Sequence, residues 1–309
     1  MKKFLFITFI FALVFTSAQA DDLGVANDFN AFIFEGANTT GGHSDGAVAV
    51  RYGWNMAYEV NRGNLGASTI IGTSNVSMYV GGISTQGVAR SLHGNVHVGN
   101  GIAGTLDIQN GQLNPGGVKG SYSVFERQEL YSIFQSSELA SLTGQAINVS
   151  DPNNINVNLS ANTRNGNLKV YNVNARDLSS LSTLNLSGGD GRETVVINVY
   201  GTTVNWNWQV NYANKNRLLW NFAGARNILI SNRDFDGSML AVSANVNQAK
   251  HIRGTMIARS WSNANSAELH FGNQYKFNGN LPSAPVPEPA TFLALGAGVA
   301  AFIRRRRSN

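Results

Sequence analysis

The most constraining feature of this 309-residue chain is a rhythm: from Asn27 onward, short β-type runs are each closed by glycine or asparagine. "AVAVRYG" (47–53), "SMYVGG" (77–82), "GNVHVGNG" (94–101) and "TLDIQNG" (105–111) carry it in the first half. "VVINVYG" (195–201), "LLWNFAG" (218–224), "SMLAV" (238–242) and "TMIARS" (255–260) carry it in the second. Partial alternation closed by Gly or Asn-Gly signals a strand and its turn, because these residues tolerate left-handed backbone. Val196, Leu218, Met239 and Met256 stand 22, 21 and 17 residues apart. Such recurrence fits the coil of a solenoid, although the repeats are too degenerate for a sequence motif. The competing architecture is a Greek-key sandwich, which strands every ~8–12 residues would favour.

Composition supports a folded β body. Disorder couples low hydrophobicity to high charge, whereas this chain is 43% hydrophobic and 13% charged. There are no cysteines, which removes thiol nucleophiles, thiolate metal sites and Fe–S clusters together. The net charge of +5 is concentrated at the ends. Lys2, Lys3 and Arg304 to Arg307 are six of the 23 cations, and Glu288 is one of the 18 anions. Residues 21–286 therefore hold 17 of each sign and are neutral. A neutral body offers no electrostatic footprint for DNA or RNA, so nucleic acid is rejected as a partner.

One segment departs from the rhythm. "SYSVFERQELYSIFQSSELASLTGQ" (121–145) has no internal Gly before Gly144 and no Pro, so a helix over about 121–143 is expected. Ser123 and Glu126 have capping-box spacing, and Gly144 suits a left-handed stop. Leu130, Ile133 and Phe134 share one face, as do Leu139 and Leu142. The helix should pack along the side of the β body.

Two stretches alternate cleanly. In "NINVNLSAN" (154–162) the amides and Ser160 face away from Ile155, Val157, Leu159 and Ala161. In "VNWNWQVNY" (204–212) Val204, Trp206, Trp208, Val210 and Tyr212 share a face opposite Asn205, Asn207, Gln209 and Asn211. Two readings follow for Trp206, Trp208 and Tyr212. They could form an aromatic strip facing a glycan, or a buried apolar face beneath a solvated amide ladder; the second is preferred.

Familiar catalytic signatures are missing: no GxSxG elbow, no HExxH, no Walker loop, no GxGxxG opening a helix. His93 and His97 are four apart and would share a strand face, but two histidines alone make an incomplete metal site. Asp234 and Asp236 before Gly237 are a fragment of a calcium loop that lacks the other ligands. A plain Asp-Gly turn is preferred there. No catalytic residue, metal site or cofactor is expected, and the chain is not read as an enzyme. A glycosidase carboxylate pair is recognised by its separation in space, which sequence does not supply.

Both ends carry sorting features. Residues 1–20 run from Lys2 and Lys3 through an apolar core to Ala18 and Ala20, the order of a secretory signal peptide cleaved before Asp21. The tail, 283–309, holds Pro287-Glu288-Pro289, then the apolar segment 290–303, then Arg304, Arg305, Arg306 and Arg307. Fourteen apolar residues fall short of the roughly 20 that a stable transmembrane helix needs. This tripartite tail resembles a PEP-CTERM sorting signal of exported proteins in Gram-negative, exopolysaccharide-producing bacteria. The resemblance implies an exosortase as processing partner. The short segment would then insert in the inner membrane only transiently, with the arginines on the cytoplasmic side.

The body, 21–282, resembles the choice-of-anchor A family. "LGVANDFNAFIFEG" (23–36), "SDGAVAVRYG" (44–53), "LLWNFAGARNILI" (218–230), "GSMLAVSANV" (237–246) and "IRGTMIARSWSNANSAELHFGNQYKFNGNLP" (252–282) carry the likeness. Arg51-Tyr52 stands where a Gly pair is commoner, and Val242 where Pro is usual. The resemblance implies an adhesive domain at the cell surface or in the extracellular matrix. It also implies a fold like the ice-binding-type adhesion domains: a mainly β, right-handed solenoid with one flanking helix. The expected ligand is an extracellular polysaccharide or another cell-surface group. A polysaccharide-active enzyme and an ice-binding-type protein are the alternatives. The latter would favour Thr-x-Thr rows, which the quoted runs lack.

Overall fold

The computed structural model describes residues 22–67, 75–85, 89–115 and 122–282. The expected signal peptide with Ala18 and Ala20, and the tail from 283 with its Pro-Glu-Pro triplet, apolar segment and arginines, lie outside the described residues.

The β-type runs form three-sided coils. One coil uses Thr194–Tyr200, Thr203–Trp206 and Gln209–Asn211 for its sides. In another, Met256–Asn263 bends around a corner to serve two sides and Leu269–His270 makes the third. Neighbouring coils join through parallel ladders, with Val195 beside Leu218, Trp220 beside Met239, and Met239 beside Met256. The solenoid reading therefore holds over the sandwich, although the register at Val196 is one residue off: it faces Leu219. Corners are tight. A Cβ on Gly254 (φ +149°) would strike the Gly237 carbonyl of the coil beneath, so glycine is required there.

The stacking order is not the sequence order. Ala31–Ile33 pairs with Val48–Val50 on one side and with Met256–Asn263 on the other. The chain thus enters in mid-stack and winds outward to Leu113–Pro115. It then crosses to the far end and winds back from Gln145–Ala146 until its last coil meets its first. Parallel strands need a long crossover, and helix α1 (Tyr122–Ser141) supplies it. Its 20 residues extend ~30 Å, past about six rungs of ~4.8 Å each. A second, short helix, α2 (Ala175–Leu178), replaces one coil side.

Two apolar clusters result. Inside the coils pack Val48, Met78, Val96, Ile197, Met239 and Met256 with the tryptophans. Outside one sheet face, Phe29, Phe32, Tyr79, Leu219, Leu240 and Ile257 pack with Phe125 and Leu139 of α1.

The helix is where it was expected, but turned differently. Leu139 is buried, whereas Leu130 and Ile133 are 42% and 44% exposed. The buried stripe is instead Phe125, Gln128, Ser132, Gln135, Ser136 and Leu139. The cause lies in the surface it covers, which presents carbonyls and amides as well as apolar groups. Asn221 Nδ2 donates to Ser136 O (2.9 Å), Asn198 Nδ2 to Leu139 O (2.9 Å), and Gln128 Nε2 to Leu23 O (2.9 Å). Buried polar groups need such partners, so polar helix residues face inward. The helix already includes Ser123, and Glu126 does not close a capping box: its carboxylate meets Arg51 at 2.9 Å. Arg51 also reaches Glu129 at 3.1 Å, so Arg51 ties α1 to the solenoid.

Candidate functional site

The side of the solenoid turned away from α1 carries a continuous outward row. In register, it reads Asn205, Leu229, Asn247, Ser262, Asn38, Asn55, Ser84, Ala103. A second row reads Thr203, Asn227, Asn245, Ser260. Period-two alternation puts Val204, Ile228, Val246 and Trp261 inside, which leaves the row residues, short polar groups apart from Leu229 and Ala103, pointing out. Parallel strands repeat every ~4.8 Å, so the rows set amides and hydroxyls at that interval, interrupted by Leu229 and ended by Ala103. The row partners also bond: Asn55 Nδ2 donates to Asn38 Oδ1 (3.2 Å), and Ser260 Oγ to Asn245 Oδ1 (2.7 Å). Where Gly36 and Gly53 adjoin the second row the surface sinks into a shallow groove of about 640 Å³. This amide face has no charged residue in either row.

The aromatic strip is not part of it. Trp206 and Trp208 are fully buried and Tyr212 is 8% exposed, so the glycan-facing reading of these three is corrected. They line the inside of a corner, where Trp206 lies 4.1 Å from Trp208, 4.8 Å from Trp220 and 4.2 Å from Phe235 between ring centroids. A coil corner needs bulk within it, and indoles bury large area there. Their amide neighbours Asn205, Gln209 and Asn211 are the exposed ones, as the preferred alternative had it.

The third side is charged. Along one row Asp234, His251, Glu268, His43, Glu59, Arg90 and Asp107 follow one another, acid alternating with base. Beside it run Asp236, Arg253, His270 and Asp45. Arg253 holds Asp234 at 2.6 Å and Asp236 at 3.4 Å, and Lys215 holds Asp236 at 2.9 Å. Asp234 and Asp236 are thus engaged by cations in a strand, Phe235–Asp236, and its approach. Burial works against the Arg253 charge, but Asp234 and Asp236 outweigh it and raise its pKa. Arg90 bridges Glu59 (2.9 Å) and Asp107 (3.5 Å).

In the middle of this side five groups converge: His43, Asp45, His251, Glu268 and His270. No sequence spacing announced them, because Asp45 and His270 are 225 residues apart and meet only where the last coil closes on the first. His93 and His97, by contrast, do not share a strand face. His97 is buried on Asn95–Val98 against Tyr79, and His93 lies in the preceding turn. Among the described residues no helix is long and apolar enough to cross a membrane; the segment 290–303 is not among them.

Comparison with known proteins gives the family. A family model described as "Putative Ice-binding-like adhesive domain" matches residues 22–271, most of the chain. The chain belongs to this family. Beyond its ice-binding-like adhesive domain, residues 285–307 match the PEP-CTERM protein-sorting motif. That motif indicates export to the cell envelope or surface and recognition by an exosortase. Among solved structures, the domain is similar to an ice-binding protein from the Antarctic ascomycete Antarctomyces psychrotrophicus. That match has 15% identity, covers 82% of this chain and 100% of that one, and has a TM-score of 0.43. It is also similar to the DUF3494 domain of Shewanella frigidimarina ice-binding protein_1, at 12% identity, 83% and 99% coverage, and a TM-score of 0.45. No curated protein matches.

Proposed function

We propose that this is a non-catalytic adhesive or structural protein of the cell surface or extracellular matrix, released from its tail by an exosortase, whose amide face binds extended polysaccharide. The observation that carries the reading is the eight-rung outward row from Asn205 to Ala103. An uncharged array of hydrogen-bonding groups at a fixed repeat, with Leu229 and Ala103 as its apolar members, suits a repetitive neutral ligand, since each amide offers both donors and an acceptor. Right-handed winding, the usual sense of parallel crossovers, completes the solenoid we infer.

The test is binding of the full chain to a glycan array and cell aggregation in a deletion strain. Glycan binding that Asn38→Arg with Asn247→Arg abolishes is the expected outcome. No glycan binding together with unchanged aggregation would overturn it. Mass spectrometry of the mature C-terminus checks processing, and Arg304 to Arg307 retained on the exported protein would refute it. An ice-binding reading draws on the family description and the flatness of the face, but Thr203 is the one threonine in the two rows. Thermal hysteresis of the wild type, lost in the same double variant, would favour ice over glycan.

A further inference from the structure

We propose that His43, Asp45 and His270 form a divalent transition-metal site, of the zinc class, at the seam between the first and last coils. The site is independent of the amide face. One ligand atom from each residue lies within 4.8 Å of the others. The Asp45 carboxylate sits between the two rings, with His43 Nε2 3.5 Å from Oδ1 and His270 Nδ1 3.1 Å from Oδ2. A tetrahedral ion with bonds of ~2.0–2.1 Å separates its ligand atoms by ~3.3 Å, and these contacts, made to the two oxygens of one carboxylate, lie near that spacing.

A second observation concerns the other ring nitrogens. His43 Nδ1 lies 3.0 Å from Glu268 Oε1, and His270 Nε2 lies 3.6 Å from Glu268 Oε2. One carboxylate therefore stands behind both rings and would fix each with its coordinating nitrogen toward Asp45. Metal-bound imidazoles characteristically donate their second N–H to such a carboxylate. Arg62 Nη1 also lies 3.3 Å from His43 Nδ1; a guanidinium only donates, so it competes with Glu268 for that nitrogen and metal binding would turn it away. The overlapping trio His251, Glu268 and His270 is the weaker set. His251 Nδ1 already accepts the Glu268 backbone N–H at 3.1 Å, which removes that nitrogen as a ligand.

The donor set selects the ion. Two imidazoles and a carboxylate suit Zn²⁺ and its first-row neighbours, whereas Ca²⁺ and Mg²⁺ take oxygen ligands. The ion would clamp residues joined otherwise by the Ser44–Leu269 bridge and its hydrogen bonds, and three protein ligands leave one position for water or a ligand oxygen.

The experiment is calorimetric titration of the metal-free full chain with ZnCl₂, with thermal unfolding followed in parallel. One equivalent should bind and raise the unfolding midpoint, with MgCl₂ and CaCl₂ inert. His270→Ala and Asp45→Asn should each weaken binding at least tenfold, and Glu268→Gln by roughly 10- to 100-fold, while His251→Ala changes it little. Absence of stoichiometric Zn²⁺ binding, or binding that His270→Ala leaves intact, would overturn the proposal. Should the variants fail to fold, Co²⁺ added to the wild type decides. Intense visible bands of a tetrahedral, nitrogen-ligated ion support the site, and a spectrum of hexa-aquo Co²⁺ refutes it.

Discussion

Two faces of the same coils met opposite fates. The strand Met256–Asn263 gives Ile257 to the helix-covered side and Ser260 and Ser262 to the amide side. On the covered side, Leu240, Ile257, Phe32, Ala49 and Tyr79 stand in one row, and α1 lies across it. On the amide side no described residue covers the row. Coil geometry sets the spacing of both, so the residue that points outward at each rung decides what a face becomes. Asparagine makes the point within one residue type. Asn172, Asn198 and Asn221 continue the covered row and bond to one another and to carbonyls of α1, while Asn205, Asn227 and Asn247 are exposed.

The largest break should come from the covered face. Phe125 is fully buried, 4.9 Å from Phe32 and stacked 5.6 Å from Tyr79 between ring centroids. Phe125→Ala should cost about 3–5 kcal/mol, the usual range for emptying an aromatic site. Hydrogen exchange should show α1 losing protection before the coils do. A loss below ~1 kcal/mol would mean that the helix is held by its polar contacts alone.

Next in size is the amide contrast itself. Asn221 donates to Ser136 O and Asn198 Oδ1 and accepts from Ser136 Oγ. Asn221→Ala strands these buried partners and should cost about 2–3 kcal/mol in denaturant unfolding. Asn247→Ala, the same change on the open face, should stay within ~0.5 kcal/mol. Equal effects would erase the distinction between a structural and a free amide. Sharper still, Asn247→Arg should leave the unfolding midpoint nearly unchanged while removing glycan binding, which separates the ligand surface from the scaffold.

Much of this fold was legible because strand signals are local. Gly and Asn mark corners, and alternation sorts Val204, Trp206, Trp208 and Val210 from their amide neighbours. Two things were not legible. The orientation of α1 failed because apolar periodicity assumes an apolar surface beneath, and here Gln128 and Gln135 donate to the Leu23 and Pro282 carbonyls, with Ser132 bonded to Gln128. The His–carboxylate cluster was invisible because it depends on stacking order. His43 and Asp45 meet Glu268 and His270 only once the chain has entered mid-stack, crossed by α1 and returned. Residues 93 and 97 looked like a pair because they are close in sequence, which matters little where neighbours lie one coil apart.

The smallest effect lies at the far end of the covered row, where Tyr79 is followed by His97 and Asn114. Burial lowers the pKa of His97, so the folded protein holds it neutral where the unfolded chain would begin to protonate. The unfolded state takes up its proton near the ordinary value of ~6.5, and each proton bound only by the unfolded state lowers stability as pH falls. His97 therefore contributes fully above that value. Its contribution declines as pH drops through it and levels off once the folded pKa is passed. His97→Gln should remove this decline between pH 7.5 and 4.5 without changing the midpoint at pH 7.5 by much. No amide of the open face titrates, so Asn247→Ala should leave the wild-type pH slope in place. A slope unchanged in His97→Gln would place the acid sensitivity elsewhere, and the covered row would then be no more closed to protons at His97 than the open one.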